Sequence, residues 1–263
     1  MFYYFNSEMK YYEKPYAPPT WADGTDEEIA ELLRAHYANE IDLHNVAGWE
    51  IGSERTVHLN AMPATGVGES HVAQDVTMVL MNAGGKTLTT PIGSVTECAF
   101  IVGQKNMLAN GTTREGGYMN SSDTNAGGWN QCARRTWCNE VYKAALPSTF
   151  VGILKQHQNI TAAGTGSTTT TSSDYVALPA EKEVFGSVTN ADSTAEASLT
   201  QFKYYETASN RIKNQGNAGS AGGWWERSPH ASNSDNFCNV NSDGTAGISY
   251  ASYACGLAPF FCI

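Results

Sequence analysis

The chain has 263 residues, a formal net charge of −10 and a hydrophobic share of 41%, enough for a sizeable core, either as one large domain or as one domain with an N-terminal attachment. No basic stripe is present to neutralise phosphates, so nucleic acid is not expected as a partner, and an anionic membrane surface is disfavoured. No apolar run reaches the length of a membrane span, which argues against membrane insertion.

Frequent Gly, Ser, Thr and Asn with only 16% charged residues suit a loop-rich α+β or β-rich fold better than a helical bundle. Residues 1–20 read as an aromatic, proline-rich arm, extended around Pro15, Pro18 and Pro19. Its packing partner stays open between a neighbouring protein, a symmetry mate and its own domain. The arm lacks the basic start and continuous apolar core of a secretion signal, so synthesis in the cytoplasm is expected.

A helix start follows, in which Thr25 caps, Glu28 reaches back, and Ile29, Leu32, Leu33 and Tyr37 form the apolar face. Strand-like runs cover 48–51, 55–62, 72–82 and 97–102, with Gly84-Gly85 as a turn signal. Residues 129–145 read as a second helix, with Ala133, Trp137 and Val141 spaced four apart and Pro147 as its stop. A short helix and a strand are expected over 149–160, and an exposed loop or hairpin tip over the Thr-rich stretch 161–173. Further on, 178–185 reads as a short helix and 208–213 as a helical turn. The six cysteines form no disulfide-scaffold pattern and are expected as buried, reduced thiols.

The last 36 residues, Ser228 to Ile263, contain no Lys, Glu, Gln, Met or Trp. Those five types make up about a fifth of residues 1–227, so roughly seven are expected on average usage. Small residues and single apolar anchors instead alternate with Asn, Asp, Ser, Tyr and His. Strand alternation puts Cys238 and Val240 on one face, Asn239 and Asn241 on the other, and Asp243-Gly244 offers a tight turn. Trp224 and Trp225 are expected in the core rather than lining a sugar subsite, and Arg227 is suited to tying loop carbonyls through its forked donors. Pro259-Phe260-Phe261 would close the sheet. Rigid support beneath a face of Tyr, Asn and Ser is the division of labour in a paratope.

Gly222-Gly223-Trp224-Trp225-Glu226-Arg227-Ser228-Pro229, with Phe237, Val240, Gly244 and the closing Gly256-Leu257-Ala258-Pro259-Phe260-Phe261, carries a family resemblance. It resembles the end of the C-type-lectin-type fold in phage and bacterial variable proteins diversified by retroelements. Residues 21–33, 55–62 and 128–137 are similar to a large phage-tail-associated group, so the resemblance covers nearly the whole chain from Trp21. It implies an α+β, C-type-lectin-like (formylglycine-generating-enzyme-like) domain over 21–263, with a variable ligand-binding region at about 228–256. In such systems adenines of Asn codons are randomised, and the resulting codons encode none of the five missing types. The positions so implied are His230, Asn233, Asp235, Asn236, Asn239, Asn241, Asp243, Thr245, Gly247, Ile248, Ser249, Tyr250, Tyr253 and Cys255.

The resemblance further implies a non-enzymatic receptor-recognition protein on a virion tail, phage- or prophage-encoded. Its partners would be a bacterial surface protein or glycan and phage tail proteins, with a homotrimer as a possible assembly. One alternative is a structural tail or baseplate component. Another is an enzyme of the formylglycine-generating type, which needs a close thiol pair, whereas Cys255 and Cys262 stand at the wrong spacing. No carboxylate cluster at loop spacing, EF-hand pattern, zincin motif or nucleophile elbow occurs, so no metal, cofactor or catalytic residue is expected.

Overall fold

The computed structural model describes residues 17–68, 70–109 and 117–263. The arm expected over residues 1–20 lies outside them as far as residue 16. The fold is mixed α and β, with mostly antiparallel sheets and few, mostly short, helices. None of the helices among the described residues is long and apolar enough to cross a membrane.

Helix α1 (Asp26–Tyr37) starts as its local sequence dictates. The Glu28 N–H donates to the Thr25 hydroxyl at 3.2 Å, and the Thr25 N–H donates to the Glu28 carboxylate at 2.9 Å. Ile29, Leu32, Leu33 and Tyr37 are its buried stripe. The Tyr37 hydroxyl donates to the Ile263 carbonyl at 2.9 Å and accepts from the Ala99 N–H at 2.8 Å, tying this first helix to the chain's last residue.

Strands β1 (Glu54–Leu59), β2 (Gln74–Ala83), β3 (Thr87–Ile92), β4 (Val95–Glu97) and β5 (Phe100–Gln104) follow. Gly84 and Gly85, with φ of +62° and +90°, make the β2–β3 turn in a region that side chains disfavour. Residues 48–51, expected as a strand, form turns instead. Trp49 closes on Val46 there, and its ring packs against Trp21 and Phe100. The apolar run at 97–102 is divided between β4 and β5.

The helix expected over 129–145 is interrupted. It resolves into α2 (Gly128–Gln131), α3 (Ala133–Trp137), a π-helical turn (Cys138–Tyr142) and α4 (Lys143–Ala145), with α5 (Ser148–Val151) beyond Pro147. Cys132 is extended, with ψ of 132°, and its thiol donates to the Met119 carbonyl. The break leaves Ala133 exposed and turns Arg134 inward, where it donates to the Tyr118 and Val67 carbonyls.

Strands β6 (His157–Ala162) and β7 (Thr169–Asp174) form a hairpin, so the Thr-rich stretch is largely strand and only residues 163–168 are its tip. Strand β8 (Val176–Ala177), helix α6 (Glu181–Phe185), and 3-10 turns at Lys203–Glu206 and Ala208–Arg211 lead to β9 (Lys213–Asn214) and β10 (Ala221–Gly222). The chain ends with β11 (Trp224–Pro229), β12 (Asn236–Val240), β13 (Ala246–Tyr250) and β14 (Phe260–Cys262).

The largest sheet has the order β1-β2-β5-β14-β8, so the closing Phe260-Phe261 does complete a sheet, between β5 and β8. A four-stranded sheet runs β4-β3-β6-β7 and a three-stranded one β11-β12-β13. Trp21, Trp49, Trp129, Trp224 and Trp225 are all fully buried, which places the two tryptophans of the C-terminal motif in the core. Each of the six cysteines is a free thiol, and all but Cys255 are buried.

Candidate functional site

The β11-β12-β13 sheet grades from interior to surface. Every residue of β11 and β12 is buried, whereas β13 is an edge strand with half-buried and exposed residues. β12 lies between the other two, pairing Trp225 with Asn239 on one side and Ile248 with Cys238 on the other. The expected alternation holds, with Asn239 and Asn241 both beside Gly247, but their face is open only at Asn241; Asn236 and Asn239 are only 5% exposed.

The exposed candidates lie at the β12–β13 turn and beyond it. Asn241, Asp243, Thr245, Ile248, Tyr250 and Tyr253 are exposed, while His230, Asn233, Asp235, Gly247, Ser249 and Cys255 are half-buried. Five large hydrophobic side chains are exposed among the described residues, and three of them, Ile248, Tyr250 and Tyr253, are in this segment. The Tyr250 and Tyr253 ring centroids are 5.1 Å apart. A fourth, Ile212, adjoins the turn, since a Cβ on Gly244 would stand 3.0 Å from its Cγ1. Sequence reasoning missed Ile212 because it lies outside the compositionally distinct segment.

Local chemistry shapes the turn. Gly244 adopts φ +83°, and the Asp243 carboxylate accepts from the Thr245 N–H at 3.0 Å and from its hydroxyl at 2.6 Å. Those two bonds lower the Asp243 pKa. The Asn241 amide donates to the Thr245 hydroxyl and the Ala246 carbonyl.

The 230–236 loop is held differently. Asn125, 1% exposed, donates its side-chain amide to the carbonyls of His230 at 3.3 Å, Asn233 at 2.9 Å and Asn236 at 2.9 Å. Its own N–H donates to the Ser234 carbonyl at 2.7 Å. Farther along, the N–H groups of Met119 and Asn120 donate to the Ala251 carbonyl, and the Cys255 N–H donates to the Gly117 carbonyl. These ties reach main-chain atoms of the segment. The candidate side chains bond mainly to near neighbours in sequence: His230 Nδ1 accepts from the Ser232 and Asn233 N–H groups, and Asn233 Oδ1 from the Asp235 N–H. A backbone anchored this way leaves side-chain identity free at the surface.

Behind the sheet lies a buried ionic layer. Arg227, 0% exposed, donates to both oxygens of Glu183, with Nη2–Oε1 at 2.8 Å, and to the Leu178 carbonyl at 2.9 Å. The Lys86 ammonium donates to the same carboxylate. Burial alone would raise the Glu183 carboxyl, but Arg227 and Lys86 outweigh it and hold it at about 2. The tie of Arg227 to a loop carbonyl was legible from sequence; its carboxylate partner was not. Ser228 accepts from the Glu181 N–H at 2.9 Å and donates to Glu196. Burial pushes the Glu226 carboxyl well up, and neighbouring Glu181 and Glu196 push it further.

Two hollows, of 340 and 390 Å³, are lined by other parts of the fold, such as Leu33, Tyr37 and Lys155 for one and Val67 and Trp137 for the other. Neither hollow is lined by the candidate residues. The two thiols considered from sequence have different surroundings. Cys262 is 0% exposed beside Cys98, while Cys255 lies against Ser249 and Asn239.

Residues 101–263, more than half of the chain, match the family described as a domain of unknown function, DUF6273, and the chain belongs to that family. No curated protein and no solved structure matches it.

Proposed function

We propose that this DUF6273 protein is a non-enzymatic ligand-binding protein with a C-type-lectin-like fold, which presents residues 241–253 and the flanking 230–235 loop to a bacterial surface protein or glycan. The observation that carries this reading is the coincidence of two properties in one segment. Exposed Ile248, Tyr250 and Tyr253 are concentrated there, and its long-range anchoring runs mainly through main-chain atoms. Tyr supplies rigid contact area and the neighbouring Asn, Asp and Thr supply adaptable hydrogen bonds, as in a paratope.

The absence of Lys, Glu, Gln, Met and Trp from 228–263 supports diversification by a retroelement acting on Asn codons. On this reading the protein is phage- or prophage-encoded and sits on a virion tail, as a homotrimer or in another repeated arrangement. Weak single contacts then sum by avidity. A structural tail or baseplate role is the second reading, favoured by the exposed apolar side chains Ile212, Ile248, Tyr250 and Tyr253, which would also suit a virion neighbour.

Two measurements test the proposal. Sequencing the 3′ end of the gene across the source population should find substitutions concentrated at the candidate positions, with Trp225, Arg227, Ser228 and Pro229 constant. Purified protein should bind host cells, and Tyr250→Ala/Tyr253→Ala should weaken binding about tenfold or more at unchanged Tm. Uniformly low variation with no cell binding would leave the static tail component as the answer.

A further inference from the structure

Glu181 in the first turn of α6, Glu226 in mid-β11 and Cys238 in mid-β12 each direct a ligand atom to one place, all within 4.8 Å of one another. All three residues are 0% exposed. Glu226 is the anomaly, because neither carboxylate oxygen has a hydrogen-bond partner. A buried carboxylate without partners costs several kcal/mol unless something neutralises it.

No nearby cation hydrogen-bonds to Glu226: Arg227 donates to Glu183 and the Leu178 carbonyl, and Lys86 to Glu183 and Asn159. The Glu181 carboxyl already accepts from the N–H groups of Thr189, Asn190 and Ala191 and from the Asn190 side chain. Glu196 accepts from the Lys182 N–H and the Ser228 hydroxyl. The pocket behind β12 thus gathers three carboxyl groups, of which Glu226 has no hydrogen-bond donor while Glu181 and Glu196 do.

We propose that Glu181, Glu226 and Cys238 form a structural metal site that takes a divalent transition ion, zinc by the chemistry of its ligands. Two carboxylate oxygens and one thiolate suit zinc, whereas calcium and magnesium take oxygen ligands alone. Zinc–ligand bonds of about 2.0–2.3 Å would need the three atoms to close by about 1 Å. Glu226 would break no hydrogen bond in moving that far. The ion would join α6 to β11 and β12 one strand in from the candidate face, since Cys238 pairs with Ile248. The trio comes from three separated segments, so no ligand spacing marks it in the sequence. The inference stands apart from the ligand-binding reading and survives its failure.

The test is elemental analysis of the full chain, purified under reducing conditions without chelator, followed by cobalt substitution. About one zinc per chain is expected, with a thiolate-to-cobalt charge-transfer band in the cobalt form. Glu226→Gln and Cys238→Ser should each weaken zinc retention by more than about tenfold. A chelator should lower the Tm of the unmodified chain but not that of either variant. Zinc retained equally by both variants would overturn the assignment. So would an unmodified chain that binds no zinc, gains no Tm from added zinc and shows no cobalt band. In that case an equal or higher Tm for Glu226→Gln would identify Glu226 as a buried neutral acid. Should Glu226→Gln fail to fold, Cys238→Ser and the cobalt spectrum of the unmodified chain decide the matter.

Discussion

Replacing Arg227 with Met probes the layer on which the candidate face is built. Methionine keeps much of the side-chain volume but none of the donors that Arg227 sends to Glu183 and to the Leu178 carbonyl. Breaking a buried ion pair from one side costs about 3–5 kcal/mol, and the stranded carbonyl adds about 1 kcal/mol. Lys86 offsets part of this. Its ammonium is disfavoured by burial and then by Arg227's charge, so it pairs better with Glu183 once Arg227 is gone. The net expectation is a loss of about 3–4 kcal/mol near neutral pH, read from urea denaturation at unchanged m-value.

The loss has a pH signature. The folded-state Glu183 carboxyl sits at about 2 against an ordinary 4.5, so as pH falls the unfolded chain takes up the proton first. The stabilisation is therefore complete above about pH 4.5 and is lost as pH falls through about 2. The shift corresponds to about 3 kcal/mol, the same size as the pair estimate. The gap between the unmodified chain and Arg227→Met should be constant on the neutral side of this window and close through it. A loss below about 1 kcal/mol, or a gap that does not close in acid, would refute the reasoning.

Two further outcomes follow from how the face is anchored. Asn125→Ala removes a side-chain donor from the His230, Asn233 and Asn236 carbonyls, of which Asn236 keeps the His230 N–H; it should cost about 1–3 kcal/mol and speed amide exchange over 230–236. Unchanged exchange there would mean that another contact holds the loop. By contrast, Thr245→Ser, Ile248→Ser and Tyr250→Ser should each alter stability by no more than about 0.5 kcal/mol. A cost near 2 kcal/mol at any of them would make that side chain part of the scaffold.

What was legible in the sequence was local. The Thr25–Glu28 capping box, the Gly84-Gly85 turn and the Asp243-Gly244 turn each depend on residues within a few positions, and each formed as read. The break at Cys132 carries no Pro or Gly signal of its own; the surrounding fold draws Arg134 inward toward Tyr118 and Val67. Burial of Asn239 was unreadable for a related reason. Alternation assigns faces to a strand but does not say that the strand will be central and covered on both sides. The unread strand β3 alternates weakly and contains Pro91. Glu226 was read only as part of the C-terminal motif, and its neighbours Glu181 and Cys238 come from other segments.

The geometry of the face also constrains how it could vary, because its positions are not independent. A Cβ at Gly247 would stand 2.5 Å from Asn241 Oδ1 and 2.6 Å from Asn239 Oδ1, too close for either side chain to stay where it is. Asn241 is exposed and can swing into solvent. Asn239 is 5% exposed and has no such freedom, and its Nδ2 donates to Ser249 at 3.4 Å. Under the diversification reading, a side chain at 247 therefore requires a smaller or re-oriented residue at 239, while 241 varies freely. Coupled substitution at 239 and 247, with no such coupling between 241 and 247, is the pattern expected in population sequences. If positions 239 and 247 varied independently while the protein still folded, β12 would be more open than its burial indicates, and Asn239 would belong to the presented surface after all.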